Sequence, residues 1–291
     1  MSRADIARNA VSMALRVRQR AGLGLSVPVN PFDACTSLNI EVRFANIPSM
    51  EGMLARRPRL TIIVSSARPP GRQAFTCAHE LGHLVLDHQS TVDDVLDLMT
   101  EGEPAYQQDN VEEYAADQFA AFFLMPKTAV MAALRDRELD PERCPPSQLL
   151  TLAGWFGVGF STLAVHLRFS LNVISPGRYD ALRRLRPQAL RREIIGQDFP
   201  GMVVLDEAWR RPSVDVRAGD VVWIPRSNVV SDLPQIEAPK GGTLLHIKRP
   251  GVFSVATPIH GTLQVRCMRQ EFEGRSIYRY LPEANDDDST P

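Results

Sequence analysis

The segment Cys77-Ala78-His79-Glu80-Leu81-Gly82-His83 limits the folding of this chain more than any other. Histidines at positions i and i+4 lie on one face of a helix, one turn apart. Their imidazoles then converge on one ion at about 2.0–2.1 Å, the distance zinc takes to a ring nitrogen. Glu80 sits three residues before His83 on an adjoining part of that face. Its carboxylate reaches a water on the ion without itself ligating. A chance match on a solvated helix is the alternative, and with so few histidines it should arise roughly once in a few hundred such chains. The context is that of a buried helix: an apolar, β-branched run precedes it, and Leu81, Leu84, Val85 and Leu86 give it a core-facing side.

A catalytic zinc site needs a third protein ligand and one open position. Glu113, in Glu113-Tyr114-Ala115-Ala116-Asp117, is the best donor. Asp117 lies one turn further on the same face, where it can accept a hydrogen bond from a ligand imidazole. Ala115 and Ala116 let this helix approach the first closely. The competing reading has Glu112, Glu113 and Asp117 solvating a surface helix. Asp87 and His88 follow His83 closely and rank as outer partners or surface residues, with His88 alternatively polarising a substrate carbonyl.

Apolar periodicity predicts helices over 3–21, 32–38, 72–88, 111–124, 127–137, 147–156 and 161–170, with strands at 40–44, 52–55 and 60–65. The stretch Val92–Gln108 is acidic and reads as loop. Residues 177–193 form a basic connector holding Arg178, Arg183, Arg184, Arg186, Arg191 and Arg192, with Leu182, Leu185 and Leu190 as its inward side if helical. Beyond it the texture turns to short strands, at 203–205, 220–224, 243–247, 253–257, 261–268 and 276–280, separated by Gly- and Pro-bearing turns. The expected fold class is α+β: a mostly helical, zincin-like domain with a small sheet over 1–140, a helix-turn-helix-like extension over 141–175, a connector over 176–196, a β-rich domain over 197–284 read as a sensor, and a disordered acidic tail over 285–291.

Composition bounds the partners. Lys+Arg is 33 against Asp+Glu 34, so no global charge pulls the chain toward nucleic acid or anionic membrane. Cys35, Cys77, Cys144 and Cys267 lie far apart with no CxxC pair, which favours free thiols in a reducing compartment. The first 22 residues carry arginines throughout and no continuous apolar run, so neither a secretory signal nor a membrane span is expected, and the location expected is the cytoplasm.

Two longer runs resemble a known family. Arg72-Gln73-Ala74-Phe75-Thr76-Cys77-Ala78-His79-Glu80-Leu81-Gly82-His83 is followed by Glu113-Tyr114-Ala115-Ala116-Asp117-Gln118-Phe119-Ala120-Ala121-Phe122-Phe123-Leu124-Met125-Pro126. Together they are similar to the ImmA/IrrE metallopeptidases over about residues 1–170. The resemblance implies a gluzincin-like zinc domain with His79, His83 and Glu113 as ligands, Glu80 as base and Asp117 at the family's Asn/Asp position. It implies a substrate that is a helix-turn-helix repressor, whose cleavage derepresses stress or defence genes. Cys77 stands where an aliphatic residue is usual and reads as a small hydrophobe. The β-rich half matches no pattern.

Several features extend this reading. Manganese or iron could take the same donors as zinc. An extended substrate would pair with an edge strand at Gly52–Ala55 or Ile62–Ser65. Ser161, Thr162, His166 and Arg168 would face a nucleic-acid groove if the helix-turn-helix resemblance were functional, against a plain packing role. The connector arginines would take nucleic acid, such as single-stranded DNA as an activator, or a small ligand. Cys144, in Arg143-Cys144-Pro145-Pro146, is a candidate latch thiolate for the open metal position, against an ordinary loop cysteine. The rival to a peptidase is a non-catalytic metal-binding regulator that binds nucleic acid or protein through 147–192.

Overall fold

The computed structural model describes residues 2–88, 92–94, 110–226, 229–238 and 241–282. In chain order its elements begin with α1 (Arg3–Arg20), α2 (Pro31–Ser37), β1 (Glu41–Ala45), β2 (Met50–Ala55), β3 (Thr61–Ser65), α3 (Pro70–Val85), β4 (Val92–Asp94) and α4 (Val111–Leu124). Next come α5 (Lys127–Arg135), α6 (Pro146–Phe156), α7 (Phe160–Val165) running into a π turn at His166–Ser170, α8 (Pro176–Arg183) and α9 (Pro187–Ile195). The strands β5 (Met202–Val204), β6 (Ser213–Arg217), β7 (Val221–Ile224), β8 (Gln235–Glu237), β9 (Thr243–His246), β10 (Gly251–Thr257), β11 (Gly261–Met268) and β12 (Gly274–Arg275) complete it. The fold is α+β, as expected. Two compact units form, Met1–Leu185 with Glu273–Ser276, and Arg186–Phe272 with Ile277–Pro291.

The first unit holds a mixed sheet in the order β12-β1-β3-β2-β4. β1 and β3 run parallel, and β2 lies antiparallel to β3 with Gly52 opposite Val64 and Leu54 opposite Ile62. Leu54, Ile62 and Val64 are fully buried where α3 lies on β2 and β3. α4 covers another side of α3, and α1 in turn packs on α4. The beginning of α4 is set by Asn110, whose side chain accepts from the backbone N–H groups of Glu112 and Glu113. Its approach to α3 depends on Gly82: a Cβ there would stand 3.1 Å from Phe119 Cδ1 and 3.2 Å from the Cα and O of Ala116. The small pair at this crossing is thus Gly82 with Ala116, and a backbone neighbour cannot yield to a larger residue.

Part of the helix-turn-helix-like segment is taken up in packing. A Cβ on Gly71, at the start of α3, would fall 2.6 Å from Gly159 N and 2.8 Å from Val158 C, so the turn between α6 and α7 is pressed against the helix that carries the motif. Among the proposed groove residues, His166 is buried, with Nε2 2.8 Å from the Met125 carbonyl and its ring edge-on to Phe122. Arg168 reaches Asn172 at 2.8 Å. The π turn lengthens the final loop of this helix, which periodicity reads as uniform α-helix.

Burial pushes the His166 pKa down to about 4, outweighing the Met125 hydrogen bond that raises it. The unfolded ring titrates near 6.5, so between those values the unfolded chain binds a proton that the folded one refuses. This group leaves stability untouched at neutral pH and lowers it on acidification from 6.5 to 4, by up to about 3 kcal/mol. Denaturant titrations at pH 7.5 and 4.5 should show a smaller acid loss in His166→Gln than in the parent. An identical loss in both would remove the assignment.

The connector is helical, as α8 and α9. Leu182 and Leu190 are buried, whereas Leu185 is exposed because it falls in the break before Pro187. Four of the six arginines are engaged locally: Arg178 donates to the Pro141 and Cys144 carbonyls, Arg191 to that of Phe199, Arg183 pairs with Asp180, and Arg192 with Asp198. Arg184 and Arg186 are exposed.

The second unit holds two small sheets, β10-β11-β6 and β5-β7-β9-β8, around Trp209, Val222, Leu244, Leu245 and Val265. Asp215 on β6 joins Arg266 at 2.7 Å and accepts from Tyr280. The strand expected over 276–280 is a single 3-10 turn, Ser276–Tyr278, and the chain is extended just before it, as β12. β4 lies inside the stretch read as loop, whose remainder from 95 to 108 falls outside the described residues, as does the tail over 285–291. Among the described residues no single helix is long and apolar enough to cross a membrane.

Candidate metal centre

α3 supplies His79, Glu80 and His83, all buried, and α4 supplies Glu113 and Asp117. His83 Nε2 lies 2.9 Å from His79 Nε2. The Glu113 carboxylate places Oε2 3.1 Å from His79 Nε2 and Oε1 3.3 Å from His83 Nε2. On its far side the His79 ring meets Asp117, with Nδ1 2.9 Å from Oδ1. That contact holds a proton on Nδ1, leaving Nε2 a bare lone pair.

Two ring lone pairs and a carboxylate facing one another repel unless something positive stands among them. Bonds of about 2.0–2.1 Å at tetrahedral angles put ligand atoms about 3.3 Å apart, close to the spacings found here. The donor set therefore fits a divalent ion. Among the described residues, His79, His83 and Glu113 are the group of ligand atoms gathered closely enough for one. Glu113 stays a carboxylate: burial would raise its pKa, but its placement against His79 and His83 outweighs this and holds it well below the usual range.

Residues 35–168 match the family model Peptidase_M78, the IrrE N-terminal-like domain. The chain carries an IrrE N-terminal-like domain. The match runs from α2 through the π turn after α7, just under half of the chain, and takes in both ligand helices. It places the domain in a peptidase family. No curated protein matches the chain. A solved structure titled Mycobacterium tuberculosis transcriptional regulator is 19% identical with a TM-score of 0.37, covering 57% of this chain and 46% of that one. This chain therefore aligns with less than half of that protein.

The structure brings His88 to the IrrE-like centre but on the outer side of a ligand: its Nδ1 is 3.0 Å from His83 Nδ1, the nitrogen remote from Glu113. Asp87, at a positive φ of 59°, turns outward, where its carboxylate is 3.7 Å from Arg56. Cys144 is not in the metal cluster. It is buried ahead of α6, and burial pushes its thiol upward, the opposite of a ready thiolate. Cys77 is fully buried with its sulfur 3.9 Å from that of Cys35, where it fills space as a small hydrophobe.

Gly52 and Glu51 of β2 lie beside α3, and neither belongs to the motifs that mark the metal ligands. A Cβ on Gly52 would lie 2.4 Å from Thr76 Cγ2 and 2.9 Å from Glu80 Oε1. The available signal was a glycine inside a strand, which marks a close backbone approach.

Proposed function

We propose that this chain is a metal-dependent endopeptidase, with the ion held by His79, His83 and Glu113 and with Glu80 as general base. The convergence of those three donors, with Glu80 beside His79 on the same helix, carries the reading. Zinc suits two imidazoles and a carboxylate, and manganese or iron uses the same set. When bound, the ion supplies a Lewis acid that polarises a scissile carbonyl and acidifies water. Glu80 takes the proton of the attacking water at its carboxylate and passes it to the leaving amine nitrogen. Asp117 orients His79. His88 orients His83 from the outer side rather than facing a carbonyl.

The proposed substrate is a helix-turn-helix repressor, whose removal would switch on stress or defence genes in the cytoplasm. Its docking differs from the sequence expectation. β3 lies between β1 and β2 and offers no edge, and the outer edge of β2 is paired with β4 at Met50 and Met53. A segment pairing beside Gly52 must share or take over that edge. The non-catalytic alternative has less to work with, because His166 is buried and most connector arginines already hold local partners.

The test is incubation of the full, zinc-loaded chain with a helix-turn-helix repressor encoded beside it, with and without single-stranded DNA. Discrete fragments by mass spectrometry, abolished by a chelator and restored by zinc, are the expected result. A metal-loaded chain that binds the repressor and leaves it uncut under every condition would favour the regulator instead.

A further inference from the structure

We infer that the Glu51-Gly52 pair of β2 positions the Glu80 carboxylate, Gly52 by leaving the space a side chain would fill and Glu51 by pinning β2 over α3. The inference rests on Glu80 being the base, as proposed above.

Arg72, Thr76 and Glu80 follow one another at intervals of four and form one stripe of α3. Each meets β2. Arg72 Nε is 2.9 Å from Glu51 Oε2, while Thr76 and Glu80 lie against Gly52. Glu51 is 1% exposed, and its second oxygen is 3.0 Å from Arg68 Nε, in the turn that leads into α3. A buried carboxylate is tolerated only with such partners, and losing one leaves a buried charge. The two arginines therefore fix where β2 crosses the helix. At that crossing the Glu80 side chain runs beneath the strand, with Cγ 3.2 Å and Oε1 2.9 Å from the Cβ position of residue 52. Any L side chain there meets the Glu80 carboxylate at Oε1. Gly52 and Glu51 are positioning residues, acting through Glu80.

Two variants separate positioning from packing. Gly52→Ala brings a methyl against both Thr76 and Glu80; Gly52→Ala with Thr76→Ser removes the Thr76 methyl and leaves the Glu80 contact. The metal-free Gly52→Ala protein should melt about 3–10 °C below the parent, and the double variant should recover most of that loss. Acetohydroxamate is the probe for the loaded site, because its hydroxyl needs the Glu80 carboxylate. In zinc-loaded full chains its binding should weaken at least tenfold in both variants, with metal content unchanged and a shifted pH profile. Recovery of both melting temperature and hydroxamate binding in the double variant would reduce Gly52 to a packing residue and overturn the inference. Glu80→Gln is the control. If it binds the probe as tightly as the parent, the base assignment fails and takes the inference with it; if it alone is weakened, only the inference fails.

Discussion

Glu80→Gln is expected to lower peptide hydrolysis by about 10²–10⁴-fold while the chain keeps its metal. Glutamine has the same shape as glutamate but cannot accept the proton of an attacking water. Glu80 is fully buried and stands outside the donor cluster, so coordination should survive the change. Metal analysis and single-turnover cleavage of the repressor on the same preparation measure both halves. Turnover at the parent's rate would remove Glu80 from the chemistry.

The second large effect concerns the ligand on the other helix. Glu113→Ala should weaken metal binding by more than about 100-fold, since loss of even an outer partner of a ligand costs 10–100-fold. Two imidazoles from one helix would remain, with no carboxylate from α4 at their Nε2 atoms, since Asp117 meets His79 on its far side at Nδ1. Competition against a chelator of known affinity reads the loss, and cleavage should fall with it at limiting metal. An unchanged affinity would mean that another residue completes the coordination, and the proposed centre would have to be redrawn.

The ligand helices were legible because their signals are local. His79 and His83 need only helical spacing, and the helix predicted over 111–124 is α4, with Asn110 as its cap. Other elements were hidden by physical ambiguity. Ser276-Ile277-Tyr278-Arg279-Tyr280 has the aromatic and β-branched character of a strand, yet Ser276 and Arg279 are buried while Ile277 and Tyr278 are exposed. That is the spacing of a helical turn. β6 carries the alternation of a strand, with Val214 and Val216 inward, but Asp215 and the flanking arginines masked it; Asp215 pairs with Arg211 nearby and with Arg266, far along the chain. Gly82, Gly52 and Glu51 act through neighbours from other elements, which no local pattern reports. The connector arginines show the reverse case. A dense basic run suggested a binding surface, and tertiary structure gives most of its charge to nearby carbonyls and aspartates.

β12 is only two residues long, but it is drawn from near the end of the chain and pairs with β1, with Arg275 Nε 3.4 Å from Glu41. The first unit's sheet therefore cannot close until almost the whole polypeptide has been made. A protein cut short before residue 273 would present the backbone of β1 as an open seam, ready to pair with another molecule. Expression of the metal domain by itself should be planned around that seam, and the late stitch adds a long-range contact that slows assembly relative to the neighbouring hairpin.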